Sequence, residues 1–211
     1  MARLEIMGAP PSTYTRVARM AALEKAVPFD FTPAMPHSPE VKAIHPAGKV
    51  PVMRHGGVTM FETRAIVHYI DETFDGPPLM PGTAAGDSAA EQWISYINTV
   101  SDGVLIRRYL FSYRYPKTPD KKPDRAAIDA MLPEVAREIA AFDRAIDGSG
   151  HLAGGRYSLA DMFLMPILHY VRQTPEGGET IGKAKNLPAY FERHAQRESF
   201  QATMPPPPPG G

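Results

Sequence analysis

The sequence predicts an α/β domain followed by an all-helical domain in a chain of 211 residues. Three observations predict this division. A strand, helix, strand pattern occupies the first 31 residues, a proline- and glycine-rich segment interrupts the chain near residue 80, and only helical periodicity follows it. We therefore assign residues 1–76 to the α/β domain, 77–86 to a linker, 87–203 to the helical domain and 204–211 to a disordered Pro/Gly-rich tail.

The α/β domain is predicted to begin with a strand, a helix and a second strand. Residues 3–7 form a short apolar run that ends at Gly8-Ala9-Pro10-Pro11, which favours a strand followed by a turn. Ser12 and Thr13 stand where the N-cap of the next helix is expected, and Pro28 ends that helix before the second strand. A unit of this length usually pairs its two strands in parallel through a crossover helix.

The rest of this domain is predicted as a short helix, a hairpin and a longer helix. Ser38-Pro39-Glu40 combines an N-cap, a proline at the first helical position and an acidic first turn. Residues 50–54 and 58–61 flank His55-Gly56-Gly57, whose composition is typical of an antiparallel hairpin turn. Residues 62–74 then carry an apolar stripe at helical spacing.

The second domain has apolar residues at three- and four-residue steps, which predicts helices. One stripe passes through Trp93, Ile97, Val100, Val104 and Phe111, and another through Ile128, Leu132, Val135, Ile139, Phe142 and Ile146. Ser158 and Asp161 form a capping-box pattern at the start of a third helix, for which we expect a folding role. Gly154-Gly155 and Gly177-Gly178 are interpreted as turns, and residues 187–202 as one last helical stretch.

Composition excludes several classes of function. Lys and Arg together number 23 and so do Asp and Glu, so a net charge of zero disfavours nucleic acid and anionic lipid as partners. No apolar run reaches the roughly 18 residues of a membrane span, so we expect a cytoplasmic protein. The seven histidines show none of the usual metal-binding spacings, so no metal is expected. The chain has no cysteine, so thiol chemistry would require the thiol of a ligand.

Several motifs occur together at spacings typical of one family. They are GKVPV at 48–52, MFETRAIVHYI at 60–70 and SLADM at 158–162. With the order of the elements, they resemble the glutathione transferases over nearly the whole chain except the tail. The segment GAPPSTYTRVARMAALEKAVPFDF at 8–31 is similar to the serine-type opening of phi-like and bacterial members. The resemblance implies a thioredoxin-like N-terminal domain, an all-helical C-terminal domain and a homodimer.

The resemblance also implies glutathione as co-substrate and a residue that stabilises its thiolate. Ser12 would donate its hydroxyl proton to the sulfur at a helix N-terminus, where the helix dipole also favours an anion. Together these two effects contribute about 2 to 4 kcal/mol, which is enough to populate the thiolate near neutral pH. Thr13 and Tyr14 are the rival candidates for this contact.

Further residues are implied for the rest of the peptide. A cis bond between Val50 and Pro51 would turn the Val50 backbone toward the cysteinyl residue of glutathione. The Thr63 hydroxyl and nearby amides would hold the γ-glutamyl carboxylate, and Glu62 would face the α-amine. Lys49 is a candidate for the glycyl carboxylate, as are His37 and Lys42.

The cluster RRYLFSYRY at 107–115 is interpreted as the wall of an electrophile pocket at the end of a long helix, or as simple packing. The candidates are Arg108, Tyr109, Phe111, Tyr113 and Tyr115. The predicted function is conjugation of glutathione to a small hydrophobic electrophile, as in detoxification. The alternatives are a non-catalytic binding or regulatory protein of the same fold, and a glutathione-dependent peroxidase or lyase acting on one metabolite.

Overall fold

The structure, a computed structural model, describes residues 3–146 and 148–206. These residues divide into two compact units, 3–79 with 195–206, and 80–194. The first boundary falls three residues beyond the predicted end of the α/β domain. Residues 195–203, which the sequence analysis assigned to the helical domain, group with the first unit. Most of the predicted tail, residues 207–211, lies outside the described residues.

The first unit is built on a four-stranded mixed sheet of order β2-β1-β3-β4. Its strands are β1 (Leu4–Gly8), β2 (Phe29–Pro33), β3 (Val52–His55) and β4 (Val58–Phe61). β1 pairs in parallel with β2 and antiparallel with β3, and β3 pairs antiparallel with β4. The predicted parallel pair and the predicted hairpin are therefore confirmed.

Three helices complete the predicted order of this unit: α1 (Thr13–Glu24), α2 (Pro39–Lys42) and α3 (Thr63–Thr73). The core has two parts because side chains alternate across a sheet. One face packs against α1 and α3, through Leu4, Ile6, Ala18, Ala22, Val27, Met53, Ile66 and Ile70. The opposite face carries a smaller cluster of Met7, Ala34, Val41 and Val52.

Residues 197–202 pack on α1, which explains why they group with the first unit. Arg197 donates two hydrogen bonds, of 2.7 and 2.6 Å, to the Glu24 carboxylate. The guanidinium of the fully buried Arg16 lies 4.6 Å from the ring centre of Phe200. These contacts anchor the last helix (Glu198–Ala202) to the opposite end of the sequence.

Every regular element among the described residues of the second unit is a helix. Its elements are α4 (Ala84–Tyr96), a π-helical segment (Ile97–Leu110), α5 (Phe111–Arg114), α6 (Arg125–Ala145), α7 (Leu159–Val171), α8 (Pro175–Lys183) and α9 (Leu187–Ala195). The second predicted stripe lies in the core at Ile128, Val135, Ile139, Phe142 and Ile146. On the first stripe, Val100 is instead 37% exposed. Within the described part of the chain, no helix is both long and apolar enough to cross a membrane.

Two sequence predictions in this region are wrong. Gly177 and Gly178 lie inside α8 rather than in a turn. A Cβ atom on Gly177 would lie 2.5 Å from the Val171 carbonyl oxygen, so glycine is needed for close packing here and not for a turn. Residues 187–202 form α9 and a separate helix, α10 (Glu198–Ala202), because Arg197 adopts an extended conformation as the N-cap of α10.

Candidate functional site

The strand register brings the predicted site residues to one end of the sheet. Met7 pairs with Val52, and Val52 pairs with Phe61, so these residues form a row across three strands. β1 ends just beyond this row, β3 begins in it and β4 ends in it. The turn before α1, the segment Val50-Pro51 and the start of α3 consequently meet at the same end. Two helix N-termini, where the helix dipoles favour an anion, therefore lie near each other.

Ser12 is the N-cap of α1, as the sequence predicts. Its backbone is extended, and its Oγ accepts a hydrogen bond from the Thr15 amide at 3.3 Å. Within the described residues, the Ser12 hydroxyl donates no hydrogen bond, and the side chain is only half-buried. The hydroxyl proton is thus available to a ligand at the helix N-terminus. Of the two rivals, Thr13 is buried and Tyr14 is half-buried in the first turn.

The peptide bond between Val50 and Pro51 is cis, as the resemblance implies. Pro51 is buried and Val50 is half-buried. Among residues 3–146 and 148–206, no backbone hydrogen bond involves Val50. Its amide and carbonyl can therefore pair with an extended peptide laid along this end of the sheet.

Glu62 and Thr63 form the entry to α3. Glu62 is the N-cap and has a φ of +64°, which is uncommon for a residue other than glycine and costs about 1 to 3 kcal/mol. The Glu62 side chain is 65% exposed, whereas Thr63 is buried. Backbone strain of this kind concentrates at functional sites, so this turn is a candidate for ligand contact.

Sequence reasoning missed His45, which lies against Glu62. The His45 Nε2 atom is 3.5 Å from the Glu62 Oε1 atom, and its ring centre is 4.9 Å from that of Phe61. Seventeen positions separate His45 from Glu62, and neither forms a recognisable motif with the other. Only the register of the sheet brings the two side chains together.

Gly48 brings two candidates for the glycyl carboxylate close together. The His37 amide donates to the Gly48 carbonyl at 2.7 Å, and Lys49 follows Gly48 in the chain. A Cβ atom on Gly48, which has a φ of +63°, would lie 2.6 Å from the His37 Nδ1 atom. Both His37 and Lys49 are exposed, as is Lys42 on α2. The choice among these three side chains stays a prediction.

In the helical unit, two of the predicted pocket residues donate to one carboxylate. The Tyr109 and Tyr113 hydroxyls both donate to Glu176 of α8, and Arg125 approaches the same carboxylate at 2.7 Å. Tyr109 is fully buried. Partial burial acts to raise the pKa of Glu176, but hydrogen bonds from Tyr113, its own amide and Arg125 outweigh it and lower the pKa to about 2.

The other three predicted pocket residues lie closer to the surface. Arg108 pairs with Glu134 on the exposed side of α6. The rings of Phe111 and Tyr115 pack edge to face with centres 5.1 Å apart, and Tyr115 is 64% exposed. Contact of these three side chains with a small-molecule ligand stays a prediction.

A separate cluster surrounds Asp161 at the start of α7, where the predicted capping box is confirmed. His151 and His194 each place a possible ligand atom within 4.8 Å of Asp161, an arrangement that sequence spacing did not reveal. Asp161 already accepts hydrogen bonds from the Leu152 amide at 2.8 Å, the Ser158 amide at 2.9 Å and the Tyr190 hydroxyl at 2.9 Å. Burial raises the pKa of this carboxyl. The contacts of Asp161 are those of a folding element.

The chain has a mixed sheet of order β2-β1-β3-β4 followed by helices. This is the fold of the class of proteins that join a thioredoxin-like domain to an all-helical domain. Residues 6–78 match the family model described as "Glutathione S-transferase, N-terminal domain", and residues 109–198 match "Glutathione S-transferase, C-terminal domain". The chain belongs to the glutathione S-transferase superfamily.

Individual relatives match this chain along most of their length. The chain is 28% identical to glutathione S-transferase 3 of Zea mays, covering 99% of this chain and 98% of that protein. It is 25% identical to a stringent starvation protein A homolog of Haemophilus ducreyi, covering 90% and 85%. Among solved structures, a theta-class glutathione S-transferase from Xanthomonas axonopodis pv. citri with glutathione bound is 25% identical. It has a TM-score of 0.79, and the match covers 97% of this chain and 98% of that one.

Proposed function

We propose that this protein is a glutathione transferase of the serine type, nearest to the phi-like and bacterial members. The observation that carries the proposal is the convergence, at one end of the sheet, of the Ser12 hydroxyl with the Val50 backbone and the entry to α3. A tripeptide with a thiol and two carboxylates matches that set. The membership of the superfamily supports the same conclusion.

Ser12 stabilises the thiolate of bound glutathione. Its Oγ atom already accepts a hydrogen bond from the Thr15 amide, so its hydroxyl proton can be donated to the sulfur. The N-terminus of α1 carries no acidic residue in its first turn, so the local field favours an anion. A thiolate is the reactive form, and no cysteine of the chain competes with it.

The remainder of glutathione binds along the same end of the sheet. The Val50 amide and carbonyl pair with the cysteinyl residue. Thr63 and the first amides of α3 hold the γ-glutamyl carboxylate, while Glu62 faces the α-ammonium group. His37, whose amide donates to the Gly48 carbonyl, and Lys49, which follows Gly48, serve the glycyl carboxylate.

The helical domain supplies contacts for a small hydrophobic electrophile, through Arg108, Phe111 and Tyr115. The thiolate sulfur attacks the electrophilic carbon, a carbon–sulfur bond forms, and the leaving group departs with the bonding electrons. The thiol proton is lost to solvent before the attack. Proximity and the populated thiolate account for most of the rate, so no further acid or base is required. We propose a cytoplasmic homodimer, as the resemblance implies.

A second candidate is a binding or regulatory protein of the same fold. The similarity to a stringent starvation protein A homolog, whose name describes no transferase, favours this candidate. Under this hypothesis glutathione binds without conjugation. Peroxide reduction by bound glutathione is the enzymatic alternative.

Calorimetry with glutathione, followed by rate measurements with a chloronitrobenzene and with an organic hydroperoxide, tests these candidates. We expect saturable binding of glutathione and conjugation that releases chloride. Binding without either reaction would support the regulatory candidate instead. The absence of glutathione binding at millimolar concentration would overturn the proposal.

A further inference from the structure

The contact between His45 and Glu62 joins a buried side chain to an exposed one. His45 has a side chain that is only 5% exposed. Its backbone is held on both sides, since its amide donates to the Val41 carbonyl at 2.8 Å and its carbonyl accepts from the Gly48 amide at 2.9 Å. Its ring packs on Phe61. The imidazole therefore has one orientation from which to contact a neighbour.

The hydrogen bonds of the ring assign its proton. The Ala47 amide donates to the His45 Nδ1 atom at 3.0 Å, so Nδ1 is an acceptor and carries no proton. In the neutral ring, the proton is consequently on Nε2, which is the atom that faces the Glu62 carboxylate at 3.5 Å. Nε2 is thus a protonated nitrogen within ion-pair distance of one carboxylate oxygen, Oε1.

Glu62 needs such support because its surroundings provide little else. Its side chain is 65% exposed and makes no capping hydrogen bond to α3. In the part of the chain that the structure describes, no other side chain forms an ion pair or hydrogen bond with Glu62. An unsupported glutamate would sample several rotamers and lose entropy when it binds a ligand.

We propose that His45 is a positioning residue for the γ-glutamyl end of glutathione. Its Nε2 proton holds Oε1 of Glu62, which leaves Oε2 directed toward the α-ammonium group of the ligand. The inference rests on the proposed function, because Glu62 faces that ammonium group only if glutathione binds at this end of the sheet. His45 acts through Glu62 and does not touch the ligand.

The two nitrogens of His45 can be tested separately by substitution. In His45→Asn the side-chain oxygen can still accept from the Ala47 amide, but the side chain is too short to reach Glu62. In His45→Gln the terminal amide extends to the position of Nε2 and can still donate. A purely structural role for His45 would be damaged by both substitutions, whereas positioning of Glu62 would be preserved in His45→Gln.

The ligands to compare by calorimetry are glutathione and its analogue without the α-amino group, glutaryl-Cys-Gly. We expect His45→Asn to weaken glutathione binding about tenfold and to change analogue binding less than about twofold. His45→Gln should stay within about threefold of the parent for both ligands. In a Glu62→Gln background, His45→Asn should have no further effect on glutathione, because the carboxylate that it positions is gone.

Other outcomes overturn the inference. It fails if His45→Asn weakens both ligands equally, or if its effect persists in Glu62→Gln. If the parent protein binds glutathione and His45→Asn binds it equally well, this inference fails but the proposed function stands. If the parent protein binds no glutathione, the proposed function itself fails.

A measurement on the unmodified protein covers the case in which a variant does not fold. Nitrogen-15 spectra of the His45 ring should show the proton on Nε2, and this signal should shift with glutathione but not with glutaryl-Cys-Gly. A proton on Nδ1 in the neutral ring, or equal shifts with both ligands, would contradict the proposal.

Discussion

The Tyr113 hydroxyl donates a hydrogen bond to Glu176, a carboxylate on α8 that also accepts from Tyr109. Burial is the main cause that raises the pKa of both tyrosines, so both stay protonated donors at neutral pH. Two of the five aromatic and basic candidates for the electrophile pocket are therefore engaged inside the helical unit. Stability, not substrate choice, is the property that these two side chains should control.

Replacement of Glu176 by glutamine should destabilise the helical unit by about 1 to 3 kcal/mol, since two tyrosine hydroxyls and Arg125 lose a charged acceptor. Urea unfolding measures the change. The matched control is Glu179→Gln on the same helix, because Glu179 is exposed and its ion pair with Lys183 lies at the surface. Equal effects of the two substitutions would contradict the role of Glu176.

The same carboxylate predicts a pH dependence. Its pKa is about 2 in the folded chain against an ordinary value of 4.5, so its contribution to stability is fully present above pH 4.5. That contribution is lost as pH falls from 4.5 toward 2. The difference in unfolding free energy between the parent and Glu176→Gln should shrink over this interval. A constant difference from pH 6 to pH 2.5 would argue against the lowered pKa.

Ser12→Ala should lower the rate of glutathione conjugation by a factor of at least about 100, since the bound thiol would lose its hydrogen-bond donor. Glutathione affinity should change less than about threefold. Because Ser12 also caps α1, unfolding should be easier by about 1 kcal/mol. Because the bound thiol should then have a higher pKa, the rate should reach its maximum at a higher pH than in the parent protein.

Tyr14→Phe is the matched comparison for Ser12→Ala. It removes a rival hydroxyl from the first turn of the same helix and leaves the N-cap unchanged. We expect it to keep most of the conjugation rate. A full rate in Ser12→Ala together with a collapse in Tyr14→Phe would move the thiolate contact to Tyr14.

Tyr115→Ala should change the Michaelis constant for the electrophile while the unfolding free energy stays within about 0.5 kcal/mol, because Tyr115 is 64% exposed. Tyr113→Phe should lower the unfolding free energy and leave the Michaelis constant for the electrophile unchanged, since it removes one hydrogen-bond donor to Glu176. Steady-state kinetics with two electrophiles of different size, combined with thermal unfolding, separates the two effects. If the Michaelis constant for the electrophile changed in Tyr113→Phe and not in Tyr115→Ala, these roles of the two tyrosines would be refuted.

Local sequence patterns were sufficient for most of the first unit and for the start of α7 in the second. Ser12 before a helix, His55-Gly56-Gly57 between two apolar runs and Ser158 with Asp161 are short-range signals, and each lies where its pattern places it. Such signals succeed because caps and turns depend on neighbours within a few residues.

Long-range packing explains what the sequence did not reveal. Gly177 and Gly178 have the composition of a turn, yet α7 approaches so closely that only glycine fits in the first turns of α8. His45 joins Glu62 through the pairing of β3 with β4, which no local window contains. The clustering of His151 and His194 around Asp161 depends on three separate segments in the same way.

Asp161→Asn should be the most destabilising of these single substitutions, at about 2 to 4 kcal/mol. The Asp161 carboxylate accepts the Leu152 amide and the Tyr190 hydroxyl on one oxygen and the Ser158 amide on the other. Asparagine keeps one acceptor but turns an N–H donor toward the Ser158 amide or the Leu152 amide, so a buried donor loses its partner. Urea unfolding checks the size of the loss.

Asp87→Asn is the appropriate control for that measurement. Asp87 also accepts a backbone amide near a helix start, from Gly82 at 2.8 Å, but at a solvent-exposed site where water can replace the lost bond. We expect a loss below about 1 kcal/mol there. Since the contacts of Asp161 are those of a folding element within the helical unit, Asp161→Asn should retain the parent conjugation rate per folded molecule at low temperature. An Asp161→Asn protein as stable as the parent would show that the capping box contributes little to the stability of this fold.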